Sequence, residues 1–219
     1  MKSLYRNALY LAACLFIVPT LSFAQDGFYY GGGISIKAPT NTLSNDDFGF
    51  NDVANMGGGI NLSTVYFANP QISLGSELAY TYFPKDKDTW NQSPKGDIKV
   101  NYQMASLTAQ GAFYFNGDAV RPYIGVTFGF YYLRNLVNFT PDNGIDPVNY
   151  VSNTFHAGFG PEIGTLLQIS RKQYATIGIR YSIIPNIEPE YFPEDDVTIN
   201  PHGKQNHWEL TAKLFFGKK

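Results

Sequence analysis

The chain has 219 residues, 44% of them hydrophobic, which is enough for one domain or two small ones. Its formal net charge of −2 comes without a basic patch of interleaved aromatic residues, which argues against nucleic acid as a partner. Cys14 is the single cysteine and lies in a segment that we expect to be removed. Disulfides and cysteine-ligated metals are therefore excluded from the mature protein.

A secretory signal peptide is predicted at the N-terminus. Lys2 and Arg6 form its basic region, and an apolar run follows from Ala8 to Val18. This run is shorter than the stretch of about 20 residues that a membrane-spanning helix needs. The alternative is lipoprotein processing at Cys14, which is less favoured because the apolar run continues beyond that residue.

The small residue Ala24 predicts cleavage before Gln25. The expected organisation is a signal peptide, residues 1–24, followed by one mature domain, residues 25–219. Loss of the two basic residues of the signal peptide leaves 14 basic and 18 acidic residues, a net charge of −4.

Eight segments of the mature chain alternate apolar residues with small or polar ones, and each predicts a β-strand. They run over residues 28–37, 56–67, 71–83, 98–115, 122–133, 153–169, 174–184 and 207–216. The fourth segment changes phase near Ala105, because apolar residues fall on even numbers before it and on odd numbers after it. That change predicts a β-bulge, or a register that begins only after the loop.

The connections between these segments alternate strictly between long and short. The long ones span 38–55, 84–97, 134–152 and 185–203, and the short ones span 68–70, 116–121 and 170–173. Long loops on one side and short turns on the other are typical of an outer-membrane barrel. We therefore predict an all-β, eight-stranded, antiparallel up-and-down transmembrane β-barrel in a Gram-negative outer membrane, with both termini in the periplasm.

Aromatic residues collect near both ends of the predicted strands, as two membrane interfaces require. The periplasmic set is Phe28, Phe67, Phe113, Phe115, Tyr174 and Phe216, and the outer set is Tyr80, Tyr82, Tyr102, Tyr132, Phe155, Tyr181 and Trp208.

The segments GFYYGGGISI, RPYIGVTFGFYY and ELTAKLFF carry a resemblance to the OmpA/OmpX-like family of small eight-stranded outer-membrane barrels. The resemblance covers essentially the whole mature chain. It implies contact with outer-membrane lipid and lipopolysaccharide, and handling by the outer-membrane assembly machinery. Members of the family often end on an aromatic residue, whereas here Phe216 is followed by Gly217-Lys218-Lys219.

The inward face of the predicted barrel carries the charged residues Glu77, Glu162, Arg180, Glu209 and Lys213. The first four of them lie at similar depth. An interior of about eight strands is filled by side chains, so an unpaired charge there would cost several kcal/mol. We expect Arg180 to pair with Glu162 and Glu209 on the neighbouring strands. The network is then a structural plug, with a gate that re-pairs as the alternative.

Catalysis, metals and cofactors are not expected. A lipid-modifying barrel would need a serine and a histidine close together, yet His156 and His207 have lumenal parity and no serine two residues on. His202 and His207 near Asp195 and Asp196 fit no metal cage.

Surface binding is expected in the long loops, which a rigid scaffold presents to the outside. The candidate contact residues are Phe48, Phe50, Trp90, Tyr191 and Phe192. The sequence thus predicts a non-enzymatic, side-chain-filled barrel with four surface loops and a structural or surface-interaction role. The alternatives are a porin-like narrow channel for small solutes and, third, a lipid-modifying enzyme.

Overall fold

A computed structural model of the chain describes residues 27–40, 54–85, 96–115, 117, 119–141, 148–170, 172–185 and 205–217. The predicted signal peptide lies outside these residues. In the described ranges, no helix is long and apolar enough to cross a membrane.

Eight antiparallel strands form one closed barrel in which each strand pairs with the next, and the last pairs with the first. The strands are β1 Phe28–Pro39, β2 Gly57–Asn69, β3 Ile72–Pro84, β4 Gly96–Tyr114, β5 Val120–Pro141, β6 Val148–Ser170, β7 Gln173–Ser182 and β8 His207–Gly217. This architecture confirms the predicted fold class. We call the two rims the short-turn end and the long-loop end, after the connections that they carry.

Burial alternates along the strands and defines an outward and an inward face. In β8, the odd-numbered residues from His207 to Phe215 are buried, whereas Trp208, Leu210 and Leu214 are exposed. Successive side chains of a strand point to opposite faces, so one register assigns every residue of β8 to the lumen or to the outside. The outward face is the apolar one, as a barrel in hydrocarbon requires.

Two apolar clusters fill the lumen near its ends. The upper cluster, at the long-loop end, consists of Ala54, Phe83, Val100, Tyr102, Met104, Tyr131, Leu133, Val137 and Ile184. The lower cluster, at the short-turn end, consists of Val65, Ala112, Tyr114, Tyr123, Leu166, Tyr174 and Phe215, with Tyr29 and Phe67 packed against it. Polar and charged side chains occupy the space between the two clusters.

The bulge predicted in β4 is wrong, and so is the alternative of a register that begins only after the loop. The pairing of β4 with both neighbours is continuous from Asn101 to Phe113, without a shift near Ala105. Even-numbered residues face the lumen along the strand, first Tyr102 and Met104 in the upper cluster and then Ser106 and Thr108. The apolar phase changes because the lining of the lumen changes from apolar to polar, while the strand itself stays regular.

The third long loop is much shorter than predicted. Residues 134–141 continue β5 and residues 148–152 belong to β6, so the hairpin extends well beyond the predicted strand ends. This segment is rich in asparagine, which is depleted in strands, and it therefore has the composition of a loop. Cross-strand pairing to Val148 overrides that local preference.

The aromatic sets also need correction. Tyr80, Tyr82, Tyr132, Phe155 and Trp208 are exposed on the outward face, as are Phe113, Phe115 and Phe216 at the other end. Tyr102, however, is 1% exposed in the upper cluster, and Tyr174 is buried in the lower one. Phe67 packs against the lower cluster as well. Parity places these three rings in the lumen, where they fill volume.

The seam between β1 and β8 depends on a glycine. A side chain at Gly33 would overlap the carbonyl oxygen of Ala212 and come within 2.8 Å of Lys213 Cα. At Gly58, on the outward face of β2, an added Cβ has no heavy atom within 4 Å. The two positions therefore form a matched pair for testing how closely the seam is packed.

We expect Gly33→Ala to lower the free energy of unfolding by about 1–3 kcal/mol, because the added methyl group overpacks the seam. Gly58→Ala should change it by less than about 0.5 kcal/mol. Urea unfolding in phospholipid vesicles, followed by tryptophan fluorescence, measures both. Equal effects would show that the seam tolerates a side chain.

Candidate functional site: the lumenal charge network

Arg180 lies at the centre of a buried network that spans the barrel. Its Nε and Nη2 donate to Glu162 Oε2 at 2.9 and 2.8 Å. Its Nη1 donates to Glu209 Oε2 at 3.3 Å and to Glu77 Oε1 at 2.9 Å. Glu162 and Glu209 come from the adjacent strands β6 and β8, whereas Glu77 reaches Arg180 from β3 across the lumen.

Two lysines complete the network at its edges. Lys213 forms an ion pair with Glu77 Oε2. Lys37 Nζ lies 3.6 Å from Glu209 Oε1, and the Lys37 side chain is 2% exposed. Three cations thus face three carboxylates, so the network carries no net charge, as a buried site of this size requires.

Neutral side chains satisfy further carboxylate oxygens. Tyr123 donates its hydroxyl to Glu162 Oε1 at 2.6 Å, and Ser63 donates to Glu77 Oε2 at 3.3 Å. Gln110 Nε2 is 3.4 Å from Glu162 Oε1. These contacts hold the carboxylates in place, because each hydrogen bond to a buried charge removes part of its desolvation cost.

The structure brings together all five charged residues named from the sequence and adds Lys37. Lys37 alternates with Ile34 and Ile36 and has the same parity as Ser35, so its inward direction was visible in the sequence. The sequence placed Arg180 and Glu77 on the inward face at similar depth but did not predict their direct contact, because the two strands are not neighbours.

One wall of the lumen carries buried polar atoms with no hydrogen-bond partner. They are Ser35 Oγ, both amide atoms of Asn61, Thr81 Oγ1 and His207 Nε2. Cross-strand pairing aligns part of this wall, since Ser35 is opposite Gly59, and Gly59 is opposite Thr81. Buried groups of this kind lower stability unless they gain a partner.

The described histidines face the lumen. His207 is fully buried between the edges of Phe83 and Tyr131, with Nδ1 3.2 Å from the carbonyl oxygen of Gln205. His156 is opposite Tyr131 on the inward face of β6. Within the described ranges, no group of three or more His, Cys, Asp or Glu residues could hold a metal ion. His202, Asp195 and Asp196 lie outside those ranges.

The candidate loop contacts cannot be placed. Phe48, Phe50, Trp90, Tyr191 and Phe192 all lie outside the residues that the structure describes. They stay predictions.

A polar surface lies on the outward face at the long-loop end, just beyond the aromatic residues. Tyr82 and Tyr132 donate their hydroxyls to Asn101 Oδ1 and Asn153 Oδ1 at 2.7 and 2.8 Å. Gln103, Arg134 and Asn153 then follow one another across β4, β5 and β6, and Lys99, Asn138 and Asn149 form a second row. We call these six residues and Asn101 the outer amide patch.

Comparison with known proteins agrees with this architecture. Residues 8–213 match the family model for the outer membrane protein beta-barrel domain, and the chain therefore belongs to that family. It is an outer-membrane barrel of the small, eight-stranded kind. Among curated protein sequences, no match was found.

Solved structures of similar fold come from Gram-negative bacteria. Neisserial surface protein A shares 17% identity over 88% of this chain and 97% of that chain, with a TM-score of 0.51. The outer membrane protein OprG from Pseudomonas aeruginosa shares 11% identity over 87% of this chain and 95% of that chain, also with a TM-score of 0.51. Identities this low support the fold alone.

Replacing Arg180 by methionine should lower the free energy of unfolding by about 3–5 kcal/mol, because three carboxylates lose their shared cation. Adding Glu162→Gln to that variant should recover part of the loss. Urea unfolding in vesicles measures both effects. A loss below about 1 kcal/mol for Arg180→Met would mean that the network contributes little.

Thr81→Val should raise the free energy of unfolding by about 1 kcal/mol, because it removes a buried hydroxyl that has no partner. The matched control is Thr127→Val, which removes a hydroxyl that donates to the Gly160 carbonyl oxygen at 3.2 Å and should be destabilising. Destabilisation by Thr81→Val would instead indicate that this hydroxyl binds a buried water molecule.

Proposed function

We propose that this protein is a non-enzymatic outer-membrane barrel with a closed lumen, whose function is to present an interaction surface at the long-loop end. The observation that carries the proposal is the length of β5 and β6. They have 22 and 23 residues, whereas β7 and β8 have 10 and 11. About 9–11 residues suffice for a strand to cross a membrane.

The surplus of roughly 11 residues in β5 corresponds to about 35 Å along the strand. β4 pairs with β5 as far as Gly96, so the extension has three strands. Its inward side contributes Val100, Leu133 and Val137 to the upper cluster, which anchors it to the barrel. We infer that this sheet stands on the outer surface, with the short turns and both termini in the periplasm.

The outer amide patch suits lipopolysaccharide as the partner. Its amides offer donors and acceptors to sugars, and the Arg134 and Lys99 cations suit phosphate groups. The patch begins directly beyond Tyr82 and Tyr132, the depth at which headgroups meet a barrel. The patch lies on the outward face of the barrel, so it meets the lipids beside the barrel.

A closed lumen supports a non-channel role. Two apolar clusters lie above and below a charge network that crosses the full width of the barrel. A non-enzymatic role is supported by the placement of His156 and His207, since both are turned away from membrane lipid.

A narrow channel is the second candidate, and the unpartnered polar wall favours it, because such groups line paths for water or small solutes. Single-channel recording in planar bilayers separates the two proposals. We expect no conductance steps from the wild-type protein, nor from the Arg180→Met, Glu162→Gln double variant. Steps that appear in the variant alone would identify the network as a gate.

The surface role is tested with purified lipopolysaccharide as the probe. We expect vesicles that contain it to raise the free energy of unfolding relative to vesicles of phospholipid alone. Arg134→Gln with Lys99→Gln should remove about 2 kcal/mol of that gain, at about 1 kcal/mol for each cation near an anionic surface.

Lys172→Gln is the matched control, because Lys172 is an exposed cation in the turn before β7, at the short-turn end. It should leave the gain unchanged. An equal loss in the control would contradict both the patch and the proposed orientation.

A further inference from the structure

A groove interrupts the outward face of the barrel near the short-turn end. Its volume is about 410 Å³. It is lined by Tyr30, Gly31, Gly32, Leu62, Ser63, Thr64, Ser76 and Phe216. It therefore crosses strands β1, β2, β3 and β8 on the face that meets membrane lipid.

The groove exists because one outward position has no side chain. Gly32 is opposite Leu62 on β2 and Leu214 on β8, both of which face outward. Leu62 and Tyr30 protrude beside it, at 66% and 54% exposure. At Gly32 the bottom of the groove is formed by backbone alone. A Cβ there would lie 3.0 Å from the Asn61 carbonyl oxygen, so this position is too crowded for a side chain that would fill the groove.

A pair of hydroxyl groups lies in the wall of the groove. Thr64 Oγ1 and Ser76 Oγ are 2.9 Å apart on adjacent strands, and either can donate to the other. The pair has two hydroxyl hydrogens and uses one of them in this bond. The other finds no acceptor in the ranges that the structure describes, and in hydrocarbon such a donor is costly.

The depth of the hydroxyl pair matches the edge of the hydrocarbon layer. Tyr30 is directly opposite Thr64 on one side and Phe216 on the other. Aromatic residues of this kind mark the membrane interface, where lipid ester carbonyls begin. No cation lines the groove, so nothing in it selects a phosphate group.

We propose that the groove binds one glycerophospholipid of the periplasmic leaflet. An acyl chain occupies the depression over Gly32, and an ester carbonyl oxygen accepts the remaining hydrogen bond of the Thr64–Ser76 pair. The surrounding surface already contacts acyl chains, so the groove is continuous with an apolar interface. The choice of leaflet rests on the orientation proposed above, in which the short-turn end faces the periplasm.

Native mass spectrometry of the full-length mature barrel tests the proposal, with phosphatidylethanolamine as the probe. We expect the wild-type protein to retain one phospholipid through detergent exchange. Thr64→Leu fills the groove and should reduce retention at least tenfold. Thr64→Val with Ser76→Ala keeps the shape, removes both hydroxyls and should reduce retention by a smaller factor.

Ala157→Leu is the matched control, because Ala157 is a small outward residue on β6, away from the groove. It should retain phospholipid like the wild type. Equal retention by the wild type, Thr64→Leu and Ala157→Leu would overturn the site. Preference for lipopolysaccharide over phosphatidylethanolamine would overturn the assignment of the leaflet, and circular dichroism shows whether each variant is folded.

Discussion

A carboxylate inside a narrow membrane barrel has neither water nor lipid headgroups to solvate it, so it persists only with a fixed cation at hydrogen-bond distance. Arg180 meets this requirement for three carboxylates at once, because a planar guanidinium directs its donors outward in several directions. The contact to Glu77 comes from the opposite wall. The barrel therefore has to be narrow enough for one arginine side chain to reach a carboxylate on the opposite wall.

The same lumen determines what each end of the molecule can do. Rings and aliphatic side chains pack in the lumen on both sides of the charged layer, and the upper cluster also anchors the extended strands β4 and β5. The extended three-stranded sheet is thus continuous with the packed interior. In the function proposed above, the barrel supports this sheet, and the surfaces that meet other molecules lie on its outward face.

Sequence reasoning recovered the parts of the fold that depend on local alternation. The number of strands, the outward apolar face and five members of the charge network follow from parity and from counting along each strand. The alternation pattern gave wrong predictions in two places. In β4 the lining of the lumen changes from apolar to polar, and in β5 and β6 an asparagine-rich stretch with the composition of a loop pairs as strand. The contact of Arg180 with Glu77 and the lipid-side groove depend on closure, which no single segment encodes.

The position of Glu77 has a consequence for the order of assembly. Its cationic partners, Arg180 on β7 and Lys213 on β8, come from the last two strands of the chain. Until the sheet has curled and its edges have joined, Glu77 has no counter-ion in hydrocarbon. A partly inserted sheet is therefore a high-energy species, and insertion and closure should proceed as one concerted step without a stable half-barrel. The N-terminal strands would then wait at the membrane surface for the C-terminal ones.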